Sequence, residues 1–306
     1  MSFLIYKRVD FMIQLWYNKQ KMEVFPMSKN ALEKRMKEDY ENRSKTYLVR
    51  RTPVIIRLDG KAFHTFTREL KKPYDAIFHI AMNQTLKYLC ENIQGCKIGY
   101  TQSDEITLLL TDYDNIDTSA WFDYSLHKMC SISASMATLE FNRVFEREAR
   151  MYIEGNPNDE KYCKSLMKAI EKGAMFDSRG FNVPEHEVAN CFIWRQQDGI
   201  RNAVQMLGQV HFSHDKLNKK STEDIKKMLM KQDVDFEEMP VEFKRGVSCI
   251  KKKFAIDKSK RIASVYDETE KYDMENTVIR EKWVLDMEIP VFSENRSYIE
   301  DIFMRG

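Results

Sequence analysis

The chain has 306 residues, which is enough for one large domain or two modest domains with a real hydrophobic core. Its 49 lysine and arginine residues nearly balance 47 aspartate and glutamate residues, so any contact with nucleic acid must come from local patches. The six cysteines form no Cys-x-x-Cys pair, which favours buried thiols in a reducing compartment over zinc ligands. No apolar run is long enough to cross a bilayer, so we expect no membrane partner.

The first 26 residues are rich in aromatic residues but are interrupted by charges such as Lys7, Arg8 and Asp10. They do not form a secretory signal, and we interpret residues 1–26 as an extension of unknown role. The expected compartment is the cytoplasm, or the mitochondrion if this extension is a targeting segment. The next segment, from Asn30 to Glu41, predicts a highly charged helix.

Residues 54–60, with the sequence VIIRLDG, predict a buried strand that ends on an acid and a glycine. Because side chains alternate along a strand, Arg57 and Asp59 should share one face while the apolar side chains fill the other. Asp59 should therefore lie where the core stops and a cleft can begin.

A helix and a hairpin follow this strand. Asp75 is placed to cap a helix that runs to about Asn92. The hairpin then has its bend at residues 102–104. If the hairpin pairs with the strand at 54–60, Asp59 and Asp104 end up close together.

Two carboxylates that a fold brings together repel each other unless a cation lies between them. Magnesium suits such a pair, since it binds through one or two carboxylates together with the phosphates of a nucleotide. Gly60 lets the backbone approach a phosphate closely, and its carbonyl is a further candidate ligand. The same short acidic segments also fit ordinary turns with solvated acids. The strand, helix and hairpin order favours the metal site.

Two helices and a fourth strand are predicted after the hairpin. A long helix is predicted from Ser119 to about Arg150, a fourth strand over residues 176–181, and a helix from Glu185 to Val210. The order strand-helix-strand-strand-helix-strand predicts an α+β fold with a palm-like split βαβ (ferredoxin-like) antiparallel sheet and flanking helices. Polymerase palms and nucleotide cyclases share this shape, so topology alone leaves the chemistry open.

A basic region follows the palm. Between Lys216 and Arg261 there are fourteen lysine or arginine residues against eight aspartate or glutamate residues, a local excess of six. This excess fits an RNA-binding surface, and it fits equally well a solvated helix face with ion pairs. We therefore predict a palm-like catalytic domain at 27–215 and a basic C-terminal region at 216–306 packed on it.

Taken together, these segments resemble the tRNA-His guanylyltransferase superfamily, whose members add nucleotides in the 3′-to-5′ direction. The resemblance covers roughly residues 50 to 255, in the order that the family has. The matching segments are Arg57-Leu58-Asp59-Gly60-Lys61-Ala62-Phe63-His64, Lys72-Pro73-Tyr74-Asp75, Gln102-Ser103-Asp104-Glu105, Lys128, Phe176-Asp177-Ser178-Arg179 and Trp194-Arg195-Gln196-Gln197-Asp198.

The resemblance implies two magnesium ions, nucleoside triphosphate substrates and a role for each matched position. Its metal ligands fall on Asp59, the Gly60 carbonyl and Asp104, and its third catalytic acid falls on Glu105. The implied nucleotide-binding positions are Gly60, Lys61, Ala62, Phe63, His64, Ser103 and Lys128. The positions implied to contact a second triphosphate or the RNA 5′ end are Arg57, Lys72 and Arg179.

Two departures from the eukaryotic enzymes of this superfamily refine the prediction. After Asp198 the chain has Gly-Ile-Arg-Asn-Ala-Val-Gln in place of His-Ile-Asn-Asn-Leu-Tyr-Asn, and a double arginine near Lys128 is replaced by Tyr124-Ser125. Both features resemble the Thg1-like protein branch, which is similar to template-dependent repair polymerases. We interpret Trp194, Phe63 and Phe66 as core aromatic residues. Arg195 is either an ion-pair residue at the core edge or an RNA contact.

The sequence thus predicts a magnesium-dependent nucleotidyltransferase. As the resemblance implies, it would activate the 5′ phosphate of a truncated tRNA with ATP and then add nucleotides to that end, with the opposite strand as template. The partners that the resemblance implies are tRNA, ATP, GTP and other nucleoside triphosphates, and the assembly that it implies is a homotetramer. The alternatives are a dedicated tRNA-His guanylyltransferase, a nucleotide cyclase on the same scaffold, or an RNA-binding protein with an inactive palm.

Overall fold

The computed structural model describes residues 29–257, 262–266, 272 and 275–304, and the chain divides into two compact units, residues 1–46 and 47–306. In the first unit, helix α1 (Lys29–Asp39) precedes a 3-10 turn at Glu41–Ser44. The charged helix expected here is confirmed. The extension predicted at residues 1–26 lies outside the described residues.

The second unit is built on an antiparallel sheet. Its described strands are β1 (Val54–Gly60), β2 (Cys96–Gln102), β3 (Glu105–Leu110), β4 (Phe176–Asn182), β5 (Val247–Asp257), β6 (Ile262–Val265) and β7 (Thr277–Asp286). The strand order is β4-β1-β3-β2-β5-β6, and β7 pairs with β5. The first four strands have the order of a split βαβ unit, so the predicted α+β palm-like fold is confirmed.

Helices lie on both faces of this sheet. In chain order the helices after α1 are α2 (Phe63–Phe66), α3 (Ala76–Asn92), α4 (Leu126–Gly155), α5 (Glu160–Lys172), α6 (Val188–His211), α7 (His214–Leu217), α8 (Thr222–Met230), α9 (Val241–Arg245) and α10 (Ser297–Met304). Val54, Ile56 and Leu58 pack in one core cluster with side chains of α3 and α4. Ile55 packs in a second cluster with Phe192 of α6. The predicted alternation along β1 is therefore confirmed.

Helix α3 begins as predicted, because the Asp75 side chain accepts a hydrogen bond from the backbone N–H of Phe78. The long helix predicted from Ser119 begins later, at Leu126. Residues 121–124 form a 3-10 turn in which Phe122 and Asp123 have positive φ angles of 49° and 52°. This local backbone conformation is incompatible with a continuous α-helix.

The region after α6 contains a capped helix and ion pairs, as one of the two interpretations of the basic region expects. Ser221 and Asp224 form a capping box at the start of α8. Glu237 pairs with Lys226 at 3.0 Å and also with Lys244, so part of the basic excess is neutralised within the fold.

Strand β5 pairs with β2 and extends the sheet. The domain boundary at 215/216 stays a prediction. Within the described part of the chain, no helix has the length and apolar character needed to cross a membrane.

Candidate active site

The end of β1 brings carboxylates together. Asp59 lies directly opposite Glu105 of β3 on one side and Asp177 of β4 on the other. Directly opposite residues share a face of the sheet, so these three side chains form a row. The backbone N–H of Gly60 donates a hydrogen bond of 3.1 Å to the carbonyl of Asp104, which brings the hairpin bend to the same place.

The electrostatics of this row are unfavourable without a counter-charge. Burial, followed by the charge of Asp177, raises the pKa of Asp59, and Arg179 opposes the shift. Burial also raises the pKa of Asp104, and the charge of Asp59 raises it further, although the Ser103 hydroxyl donates a hydrogen bond of 3.0 Å to it. Two acids whose ionised forms are disfavoured therefore lie side by side.

The negative charge of Glu105 is paired with an arginine. Nε and one terminal nitrogen of Arg195 donate hydrogen bonds of 2.6 and 2.8 Å to its two oxygens. Arg195 also donates to Asp198 at 2.8 Å, and its side chain is only 10% exposed. Of the two alternatives for Arg195, the structure shows the ion-pair residue at the core edge. These two parallel hydrogen bonds, the Arg195–Glu105 fork, connect α6 to the hairpin that carries Asp104.

The donor set fits a divalent cation that binds together with a nucleotide. Among the described residues, no group of three or more His, Cys, Asp or Glu side chains could hold a metal ion without other ligands. Magnesium does not need such a group, since it uses one or two carboxylates and completes its shell with water and phosphate oxygens. Asp59 and Asp104, with the Gly60 backbone between them, provide that pair. A cation would relieve the repulsion that raises the pKa of Asp104.

A cavity of about 900 Å³ opens beside these acids. Its size falls in the range of small-molecule sites. The predicted site residues that line it are Gly60, Ala62, Phe63, His64, Lys72, Ser103 and Asp104. The opposite wall comes from α6, through Gly199, Asn202, Gln205 and Gln209. The sequence motifs did not assign these α6 residues to a nucleotide site.

Two residues at the cavity have strained backbones. Ala62 has a φ angle of 54° and Ser103 has a φ angle of 55°, in the left-handed region. For residues with a Cβ atom, this conformation costs about 1 kcal/mol each. Strain of this kind concentrates at binding sites, where the surrounding structure maintains it. The Ala62 carbonyl accepts hydrogen bonds from Thr65 and Phe66, which fixes its turn.

Other predicted residues lie outside the cavity lining. Lys61 is exposed, and its backbone N–H donates to the Met175 carbonyl at 2.8 Å. Lys128 is exposed near the start of α4, with its ammonium 5.9 Å from the ring centre of Phe122. The predicted set therefore does not converge on a single place.

Arg57 and Arg179 form a second group. They lie directly opposite each other on β1 and β4, on the sheet face that carries Asp59. Arg179 donates a hydrogen bond of 2.8 Å to Asp177. Asp177 itself belongs to a matched segment but was not predicted as a site residue. Its position opposite Asp59 depends on the register between two strands that are distant in the sequence.

The prediction of three core aromatic residues is wrong for one of them. Phe63 and Phe66 are buried, as expected. Trp194 is 52% exposed, because the buried side of α6 carries Phe192 and Gln196 and position 194 points away from it. The guanidinium carbons of Arg195 and Arg57 lie 4.3 and 5.4 Å from the centre of its ring.

Fold and site together define a class of protein: a palm-like α+β domain with carboxylates at a strand end beside a cavity of small-molecule size. Residues 33–184 match the family model described as tRNAHis guanylyltransferase. A bacterial tRNA(His) guanylyltransferase (Thg1)-like protein solved in complex with ATP is 36% identical, with a TM-score of 0.69 over 89% of this chain and 98% of that chain.

A second structure of such a bacterial protein, in complex with GTP, is 35% identical with a TM-score of 0.66, and it has the same coverage. The uncharacterized protein R259 of Acanthamoeba polyphaga mimivirus is 35% identical over 161 residues, which are 49% of this chain and 53% of that protein. The chain spans about half the length of the curated relatives that it matches. The chain belongs to the tRNA-His guanylyltransferase family, and the predicted resemblance to its Thg1-like branch is confirmed.

Proposed function

We propose that this chain is a nucleotidyltransferase that adds nucleotides to the 5′ end of tRNA in the 3′-to-5′ direction, as template-dependent repair of truncated tRNA. In the first step the RNA 5′ monophosphate attacks the α-phosphorus of ATP and pyrophosphate leaves. In the second step the 3′ hydroxyl of the incoming nucleotide attacks the activated 5′ phosphorus and AMP leaves. The observation that carries the proposal is the convergence of Asp59 and Asp104 beside the cavity.

The chain's own residues have complementary tasks in this reaction. Two magnesium ions, held by Asp59, Asp104 and the Gly60 carbonyl, would neutralise charge on the attacking and leaving oxygens. Lys72 lies at the cavity and can bind a triphosphate there. Arg57 and Arg179 lie outside the cavity and can bind a second phosphate group. Glu105, the proposed third catalytic acid, is bonded to Arg195, and this bond also keeps the hairpin and α6 together.

The proposed partners are tRNA, ATP, GTP and other nucleoside triphosphates. The ATP and GTP complexes of the bacterial Thg1-like proteins support the nucleotides. We also propose a homotetramer. Leu139 of α4 and Met175 are 65% and 58% exposed and line the same open surface depression, and contiguous exposed apolar side chains mark contact surfaces between chains. Light scattering on the purified chain tests this, and the mass of a monomer or of a dimer would contradict it.

The central experiment incubates the chain with 5′-truncated tRNAs, magnesium and labelled nucleoside triphosphates. We expect a product lengthened at its 5′ end whose added nucleotide changes when the opposite template base is changed. Asp104→Asn should abolish this product. Glu171→Ala, which removes an exposed acid on α5, should not. Full activity of the Asp104 variant would refute the assigned site.

The description of the matching family model favours a second candidate, a dedicated tRNA-His guanylyltransferase. The same assay separates the two functions. A dedicated enzyme adds guanosine to tRNA-His whatever base lies opposite, whereas a repair enzyme follows Watson-Crick pairing on several tRNAs. An inactive palm that only binds RNA would give no product with any tRNA.

A further inference from the structure

Trp194 is a large aromatic residue that the fold holds in an open position. About half of its surface is exposed, whereas its neighbours Phe192 and Gln196 are buried. The guanidinium of Arg195 lies against its indole, and Arg195 is itself fixed by hydrogen bonds to Glu105 and Asp198. The ring therefore lies against a fixed side chain and is still about half exposed. Tryptophan is enriched in binding surfaces.

The surroundings of Trp194 are suited to an anion. Arg57 lies 5.4 Å from the centre of its ring, and Arg179 lies directly opposite Arg57 on the neighbouring strand. Arg57 Nε is buried and has no hydrogen-bond partner among the residues that the structure describes. A buried donor without a partner is costly, and an external acceptor would satisfy it.

This surface is separate from the cavity, but strand β1 leads from one to the other. Gly60 and Asp104 line the cavity, whereas Trp194, Arg57 and Arg179 do not contribute to its lining. On β1, Asp59 lies two residues after Arg57 and on the same face, toward the cavity end of the strand. A phosphate bound by the two arginines would therefore lie next to Asp59.

We propose that Trp194 is the stacking platform for the base of the RNA 5′-terminal nucleotide, whose 5′ phosphate is bound by Arg57 and Arg179. The inference rests on the proposed function and extends it, since Trp194 has no role in that reaction so far. An indole stacks on any base, because every base has a π face. Such a platform would orient the RNA end while leaving the choice of the added nucleotide to base pairing.

The test uses the full chain and an RNA hairpin with a 5′ monophosphate and 2-aminopurine, a fluorescent base, as its first nucleotide. Stacking on an indole quenches this fluorescence. We expect quenching on binding to the wild-type chain, with little change when 2-aminopurine is placed at the fifth position instead. Removal of the 5′ phosphate should weaken binding, since the two arginines then lose their ligand.

The variants are Trp194→Leu, Trp194→Phe and the control Trp283→Leu. Trp283 is a partly buried tryptophan of β7 whose ring centre lies 5.3 Å from the ammonium of Lys251, so it has the same kind of cation–π contact outside the site. Trp194→Leu should remove the quenching and weaken RNA binding about tenfold, whereas Trp194→Phe should retain most of both. Trp283→Leu should bind as the wild type does.

Binding of a fluorescent GTP analogue should stay unchanged in Trp194→Leu, which would show that the fold and the cavity are intact. Equal quenching by the wild type and Trp194→Leu would overturn the proposal. So would a change in assembly mass with Trp194→Leu, because Trp194 would then belong to a contact between copies. A wild-type chain that quenches the probe but never extends RNA would refute the proposed function and leave the stacking site standing.

Discussion

The fork between Arg195 and Glu105 gives the sharpest stability prediction. The two side chains are 10% and 19% exposed, and their hydrogen bonds are 2.6 and 2.8 Å long. Breaking a buried ion pair costs about 3–5 kcal/mol, since it leaves one charge desolvated and unpaired. Because both side chains retain some exposure, we expect Arg195→Ala to lower the free energy of unfolding by about 3 kcal/mol.

Glu105→Ala should cost less, about 2 kcal/mol, because Arg195 keeps Asp198 as a partner. The double variant should lose less than the sum of the two single variants, with a coupling free energy of about 2 kcal/mol. Arg195→Lys should recover only part of the loss, since an ammonium cannot form the two parallel bonds of the fork. Urea unfolding of the four variants and the wild type measures each of these quantities.

The matched control is the pair of Lys168 and Glu69, whose side chains are 67% and 51% exposed at a distance of 3.0 Å. Solvent screens such a pair, and its coupling free energy should stay below about 1 kcal/mol. Additive effects of Arg195→Ala and Glu105→Ala, within about 0.5 kcal/mol, would refute the reasoning. The fork would then contribute no more than a surface pair.

Three further predictions concern other parts of the fold. Burial lowers the pKa of His79 to about 4, so the unfolded chain binds the extra proton and stability falls as the pH drops from about 6.5 to 4. His79→Phe should reduce that slope by up to about 1.4 kcal/mol per pH unit in urea unfolding. Gly246 has a φ angle of 82°, and an added Cβ would lie 2.3 Å from the Thr101 carbonyl oxygen. Gly246→Ala should cost about 3 kcal/mol by the same assay, whereas Gly155→Ala, with open space around it, should cost nothing. At neutral pH, Asp104→Asn should have a higher melting temperature than the wild type. The reason is that burial and the charge of Asp59 raise the pKa of Asp104, so the ionised form of Asp104 destabilises the fold. Magnesium should then stabilise the wild type, by about 1.4 kcal/mol at ten times its dissociation constant, and have little effect on this variant; equal stabilisation of both would contradict the metal site.

Local rules account for the parts of the structure that the sequence predicted well. Alternation places Arg57 and Asp59 on one face of β1, and Asp75 caps α3, because both features depend only on neighbouring residues. The matched segments also led to the family. The start of α4 was misplaced, since the positive φ angles at Phe122 and Asp123 leave no mark in the apolar pattern.

Within the site, the sequence by itself determined which acids and bases the chain offers and that Asp59 ends a strand. Only the tertiary structure decided that Asp177 lies opposite Asp59, that Arg195 is bonded to Glu105, and that Trp194 is open to solvent. These facts depend on strand register and on the rotation of α6 about its axis. Both are set by packing between segments far apart in the chain, which no local pattern records.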